Sequence, residues 1–184
     1  SLLLSHYLAK AGLFWLAGII NADKLKDWGI IRGNPFYLFL MGTFIFTLIG
    51  FPPFPSFFGK WELIMGLAQS EKFILLAAIL VGSFFEAIYL FRWLGYAIKW
   101  DEVEVQQIKL SIHKIVPVTL FALTTYGFGY YTSIQMGSNL NLNLYALGFI
   151  ALLFLIDFLP VYIKNTLAIG AMAFYFYQNM DGYE

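Results

Sequence analysis

Cysteine is absent from the 184 residues, which removes iron-sulfur clusters, thiolate zinc sites, disulfides and cysteine nucleophiles together. Histidine is nearly as scarce: His6 and His113 are the two present, too few for a pair of bis-His haems. Charge is thin as well. Asp, Glu, Lys and Arg make up 12% of the chain, about half the fraction of roughly 25% usual for soluble domains. Eleven basic residues cancel eleven acidic ones, so there is no basic field to collect nucleic acid and no acidic tail. No catalytic constellation stands in the polar loops, and no cofactor is expected. What fills the chain is apolar: 60% of the residues are hydrophobic and 20% aromatic, the composition of a membrane protein.

The expected fold is all-α, a polytopic transmembrane helix bundle with one discontinuous helix. A hydrocarbon core of about 30 Å needs about 20 apolar residues per helix. Ser1 to Ile20 forms a first block with no charged n-region or cleavage site before it, so it does not read as a signal peptide. The chain is expected to be the carboxy-terminal part of something longer. After the polar loop NADKLKDWGIIRGN, Asn34 and Pro35 give a cap-then-proline helix start. The block from Pro35 to Ala68 is too long for one straight span and suits a crossing made of two helical pieces. Phe73 to Ile98 follows the short turn QSEK, and a hydrophilic linker occupies 99–115. Val116 to Ile134, Leu144 to Leu159 and Leu167 to Tyr177 supply two to three further, peripheral spans.

Alternating the loops across the membrane puts Lys24, Lys26, Arg32, Lys99, Lys109, Lys114 and Lys164 on one side and Lys72 on the other. The basic excess assigns the loops at 21–34, 99–115 and 160–166 to the cytoplasm. A multi-pass protein of a prokaryotic cytoplasmic membrane is the expected location.

Three basic residues, Lys10, Lys60 and Arg92, fall inside the spans. A Lys or Asp at the centre of a membrane helix costs roughly 2.5 to 3.5 kcal/mol on translocon scales, so such residues face protein or water. His6 precedes Lys10 by four residues, which puts both on one helix face. Lys10 reads as a buried amine or a snorkelling one, His6 as a proton relay or a structural histidine. Glu86, mid-way along the third block, is a functional acid, a charge partner for Lys10 or Lys60, or a protonated structural residue. Arg92 is an end anchor, and Asp157 beside Pro160 reads as interfacial.

The stretch GFPPFPSFFGKWEL, 50–63, interrupts an apolar run. Pro52, Pro53 and Pro55 cannot donate backbone hydrogen bonds, and in a membrane the carbonyls thereby freed must meet protein or water. Together with Gly50 they predict a helix broken near 50–58. Lys60 beside the break gains carbonyl and solvent partners, and an amine so placed is suited to take up and release a proton. Glu62 is either its ion partner or an interfacial residue. A P-loop is excluded, because Phe54 stands where the motif needs its first glycine.

SHYLAKAGLFWLAGII, then TFIFTLIGFPPFPSFFGKWELI, then VGSFFEAIYLFRW resemble, in order and spacing, the antiporter-like membrane subunits of respiratory complex I, the multisubunit cation/proton antiporters and the membrane-bound hydrogenases. The resemblance covers roughly residues 1–97. It implies that 1–98 holds three core helices of the second of two inverted repeats, the middle helix being the broken one. It equates Lys10 with the lysine of the family's H-x-x-x-K helix, His6 with the motif histidine, and Lys60 with the Lys or Glu at the break that exchanges the proton. A further histidine carried by some members is Leu2 here, and Glu86 has no counterpart.

The expected function is proton translocation through His6, Lys10 and Lys60, with Glu86 and Glu62 as further ion-translocating candidates, in a redox-driven complex. Partners would be other membrane subunits, further antiporter-like ones among them, and redox subunits. Moving one charge against 100 mV takes about 2.3 kcal/mol, which a chain with no redox centre must draw from its partners. A gradient-driven Na⁺/H⁺ antiporter subunit and a non-conducting structural subunit are the alternatives.

Overall fold

The computed structural model describes residues 2–98 and 111–136 and, beyond them, positions 148, 160, 163, 166, 167, 169–171, 173, 174 and 177. Among the described residues there is no β-strand and the regular structure is helical. Five α-helices are fully described there, in order: α1 Leu2–Ile20, α2 Pro35–Ile49, α3 Pro55–Gln69, α4 Phe73–Ile98 and α5 Ile112–Gln135. A 3₁₀ segment, Leu25–Gly33, joins α1 to α2. Two of these helices, α1 and α4, are long and apolar enough to cross a membrane, and α2 is a shorter apolar helix of 15 residues.

Helix α1 buries Ser5, Leu8, Ala9, Gly12, Leu13, Leu16 and Ile20, a stripe at the three-to-four spacing of one helical face. That face lies on α2. Contact is close enough at Gly12 that any side chain there would run into the ring of Phe44, so glycine is the residue that lets the two helices approach. Trp15 at the other edge of α1 donates from Nε1 to the carbonyl of Lys114 at 2.9 Å, tying α1 to the first turn of α5.

The polar stretch expected to be a loop at 21–34 is instead a 3₁₀ helix over most of its length. Trp28 and Ile31 are buried in it, and Trp28 meets Trp93 of α4 edge to face, with ring centroids 4.7 Å apart. Apolar residues spaced three apart suit the three-residue turn, which accounts for the ordered connection. Asn34 precedes Pro35 as anticipated, and the first turn closes through its carbonyl, which accepts from Tyr37 N and Leu38 N.

Helix α4 has the expected boundaries, Phe73 and Ile98. Helix α5 starts at Ile112, four residues before the expected Val116, so the linker ends by Ser111 and Pro117 lies inside the helix. The Ser111 carbonyl accepts from Lys114 N and Ile115 N, and this first turn forms without needing the N–H that Pro117 lacks. The span anticipated at 144–159 lies outside the described residues except for position 148, whereas in 167–177 the described positions 167, 169–171, 173, 174 and 177 are helical.

Candidate functional site

The chain leaves helix at Ile49 and re-enters it at Pro55, so the interruption occupies 50–54, the first part of the anticipated 50–58. Gly50 takes the left-handed conformation, φ 87°, which a residue without Cβ adopts at little cost. The peptide bond between Pro52 and Pro53 is cis. Phe54 is extended and precedes Pro55, the first residue of α3.

Every helix ends with four carbonyls that lack helical donors, and here the donors can be named. Phe46 O accepts from the backbone of Gly50 and Phe51, at 3.1 and 3.0 Å. Thr47 O accepts from the hydroxyl of Ser56. In a continued helix the donors to Leu48 O and Ile49 O would be residues 52 and 53, both prolines without an N–H. Both carbonyls accept instead from Lys60 Nζ, each at 3.1 Å. The ammonium therefore replaces the two hydrogen bonds that the prolines remove, and it lies at the negative end of the α2 dipole.

Lys60 Nζ also stands 2.9 Å from Glu86 Oε2 on α4. The other carboxylate oxygen, Oε1, is 3.3 Å from His6 Nε2 on α1. One carboxylate thus joins α1, α3 and α4, with side chains 25%, 14% and 29% exposed at His6, Lys60 and Glu86. Each is sheltered without being sealed, so the attraction is stronger than at an open surface and weaker than in a dry core. His6 Nδ1 is buried and has no hydrogen-bond partner among the described residues. Glu86 stands mid-way along α4.

The other sequence candidates stand apart. Lys10 is exposed on α1, one turn beyond His6, with no hydrogen bond or ion pair to a described residue. Glu62 is exposed on α3 and follows Lys60 by two positions, about 200° around the helix, so it points away from the cluster. Among the described residues, no three His, Asp or Glu side chains gather to hold a metal ion.

Helix α5 braces the break, a role the sequence did not disclose. Tyr126 shares a hydrogen bond of 2.9 Å with Thr43 and packs its ring against Phe54, centroids 5.3 Å apart. Gly129 lies against the carbonyl of Pro53 and the ring of Pro55. Ser56, the one hydroxyl within the proline-rich stretch, is the sequence feature that hints at how the break is fastened; nothing near Tyr126 in the sequence points to Thr43.

The family model described as "NADH:quinone oxidoreductase/Mrp antiporter, TM" matches residues 1–86, the region that carries His6, the break, Lys60 and Glu86. Over these residues the chain is similar to the antiporter-like membrane subunit family. Among its relatives, NADH-quinone oxidoreductase subunit N of Desulforudis audaxviator is 35% identical over 97 residues, covering 48% of this chain and 19% of that protein. The corresponding protein numbered N 2 in Hydrogenobaculum sp. is 24% identical over 139 residues, 70% of this chain and 30% of the relative. A Na(+)/H(+) antiporter subunit of Alkalihalophilus pseudofirmus is 27% identical over 128 residues, 65% and 26% of the two chains. The chain spans less than a third of the length of these relatives. No solved structure matches it. The family model that matches residues 1–86 describes a transmembrane family.

Proposed function

We propose that this chain is the proton-translocating part of an antiporter-like subunit in a redox-driven complex, with Lys60 as its proton-exchanging group. The observation that carries the reading is the placement of Lys60: its ammonium bridges the two carbonyls freed by Pro52 and Pro53 and a carboxylate from another helix. A scaffold has no need of a charged pair at mid-membrane, where inserting each charge costs several kcal/mol. Two relatives named as NADH-quinone oxidoreductase subunits support the redox-driven setting.

In this reading α2 and α3 form one broken crossing. Each has 15 residues, about 22 Å at the helical rise, so neither alone has the roughly 39 Å of the 26-residue α4, while the two in series, at about 45 Å, are long enough for one crossing. The interruption then falls at the depth of Glu86, where unwound backbone is tolerated against protein or water. The basic excess in the segments 21–34, 99–115 and 160–166 assigns them to the cytoplasmic side. His6 and Lys10 extend the path along α1, and Lys10, exposed on this chain, faces water or a neighbouring segment rather than acyl chains.

Replacing Lys60 with Met in the complete assembly tests the reading. Proton uptake by inverted membrane vesicles should be lost while the subunit is still found in the complex; undiminished uptake would defeat it. The similarity to a Na(+)/H(+) antiporter subunit favours a second reading, in which an ion gradient supplies the drive. A requirement for sodium at constant pH, without any electron donor, separates that case from the first.

A further inference from the structure

A proton route along α1 to the break leaves the acid between them without an assigned part. We infer that Glu86 is itself a proton carrier, passing the proton between Lys60 on one of its oxygens and His6 on the other. The inference rests on the reading of Lys60 as the exchanging amine and adds a step to it. The relay itself does not involve Lys10, which lies outside the cluster and would act beyond His6.

The geometry is that of a relay. Lys60 Nζ is 2.9 Å from Oε2 and His6 Nε2 is 3.3 Å from Oε1, so each oxygen faces a different partner; the first distance suits direct transfer, and the second needs to shorten by about 0.1 Å to do so. The ammonium gives a proton to Oε2, leaving a neutral amine and a carboxylic acid. A half-turn about the last carbon–carbon bond, a soft two-fold torsion, presents the new O–H to His6. Neutral imidazole accepts it at Nε2, and the resulting imidazolium releases the proton already on Nδ1. That nitrogen is buried and unpartnered among the described residues, and a buried polar atom of this kind calls for a water or another proton acceptor. One proton enters, one leaves, and the carboxylate returns to its starting charge.

The amine does not lose its place when it becomes neutral. It keeps two N–H bonds for Leu48 O and Ile49 O, so those carbonyls continue to hold it beside the carboxyl. This separates a carrier from a fixed counter-ion, which would have to remain ionised throughout.

Glu86→Gln in the complete assembly tests the inference, with proton uptake by inverted vesicles and infrared difference spectra during turnover as the readouts. The amide keeps the size of the side chain and cannot carry the proton. Uptake should fall about 100-fold, the usual scale for removing a positioned acid-base group. The wild-type spectrum should contain a protonated-carboxyl band that the variant lacks. Normal uptake by Glu86→Gln, with uptake lost in Lys60→Met, overturns this inference alone; normal uptake by Lys60→Met overturns the parent reading and this one with it. Impaired uptake without a Glu86 carboxyl band in the wild type makes the residue a counter-ion and also overturns the inference. Should Glu86→Gln fail to assemble, Glu86→Asp takes its place: a shifted carboxyl band with reduced uptake supports the relay, and no such band defeats it.

Discussion

Gly129 of α5 faces the carbonyl oxygen of Pro53, so closely that a Cβ on Gly129 would stand 2.6 Å from that oxygen. The obstacle is backbone rather than the end of a flexible side chain, so it cannot swing aside. Gly129→Ala is therefore expected to push α5 off the break and to destabilise the bundle by about 1–3 kcal/mol, as overpacking usually does. A lowered midpoint of thermal unfolding in detergent, measured on the full assembly, checks this. Gly127→Ala, where nothing lies within 4 Å of the added carbon, should not lower the midpoint and should raise it slightly, as alanine is the better helix former.

Gly50 offers a second backbone test, this one reaching the amine. Its φ of 87° disfavours any side chain, at a cost of about 1–2 kcal/mol, and an added Cβ would lie 3.1 Å from Lys60 Cδ. Gly50→Ala should lower the unfolding midpoint and also reduce proton uptake, because Lys60 is displaced from the carbonyls it bridges. Lowered stability with unchanged uptake would mean that the position of the amine is not critical.

The two glycine sites differ in how visible they are from sequence. Gly50 follows an apolar run and precedes Pro52 and Pro53, and the missing N–H groups forecast the break whatever the surroundings. That backbone rule acts locally, and the ends of α4 follow just as directly from its apolar length. What decides the site is contact between distant segments. From sequence, Glu86 has both Lys10 and Lys60 as candidate partners, because periodicity fixes a face of a helix and not its neighbour. His6 and Lys10 are about 40° apart around α1, yet His6 meets Glu86 and Lys10 lies exposed. The start of α5 at Ile112 lies outside the apolar run that begins at Val116, and Pro117 is tolerated just past the first turn.

Lys10 makes no contact that holds the described bundle together. Lys10→Met should leave its unfolding midpoint unchanged, in contrast to Lys60→Met, which strips Leu48 O and Ile49 O of their donor. If Lys10 serves translocation as proposed, uptake falls in Lys10→Met without any loss of stability. A large stability loss would show that Lys10 is fastened to a segment outside the described residues, and normal uptake would remove it from the route.

Lys60 and Glu86 lend themselves to a double-mutant cycle, because each is held by more than the other. Removing Glu86 alone leaves the ammonium with two carbonyls, and removing Lys60 alone leaves the carboxylate with His6. Lys60→Met also orphans both carbonyls, so it should be the costlier single change. Breaking one side of a sheltered pair strands the opposite charge, and removing both relieves that penalty. The double variant Lys60→Met with Glu86→Gln should therefore lose less stability than the sum of the two single changes. With the side chains 14% and 29% exposed, solvent screening keeps the coupling modest, about 1 kcal/mol within the range seen for contacting residues. Unfolding of the four variants in denaturant measures it. Strict additivity would show that the pair contributes no net attraction, leaving the carbonyls of α2 as the sole anchor of the amine.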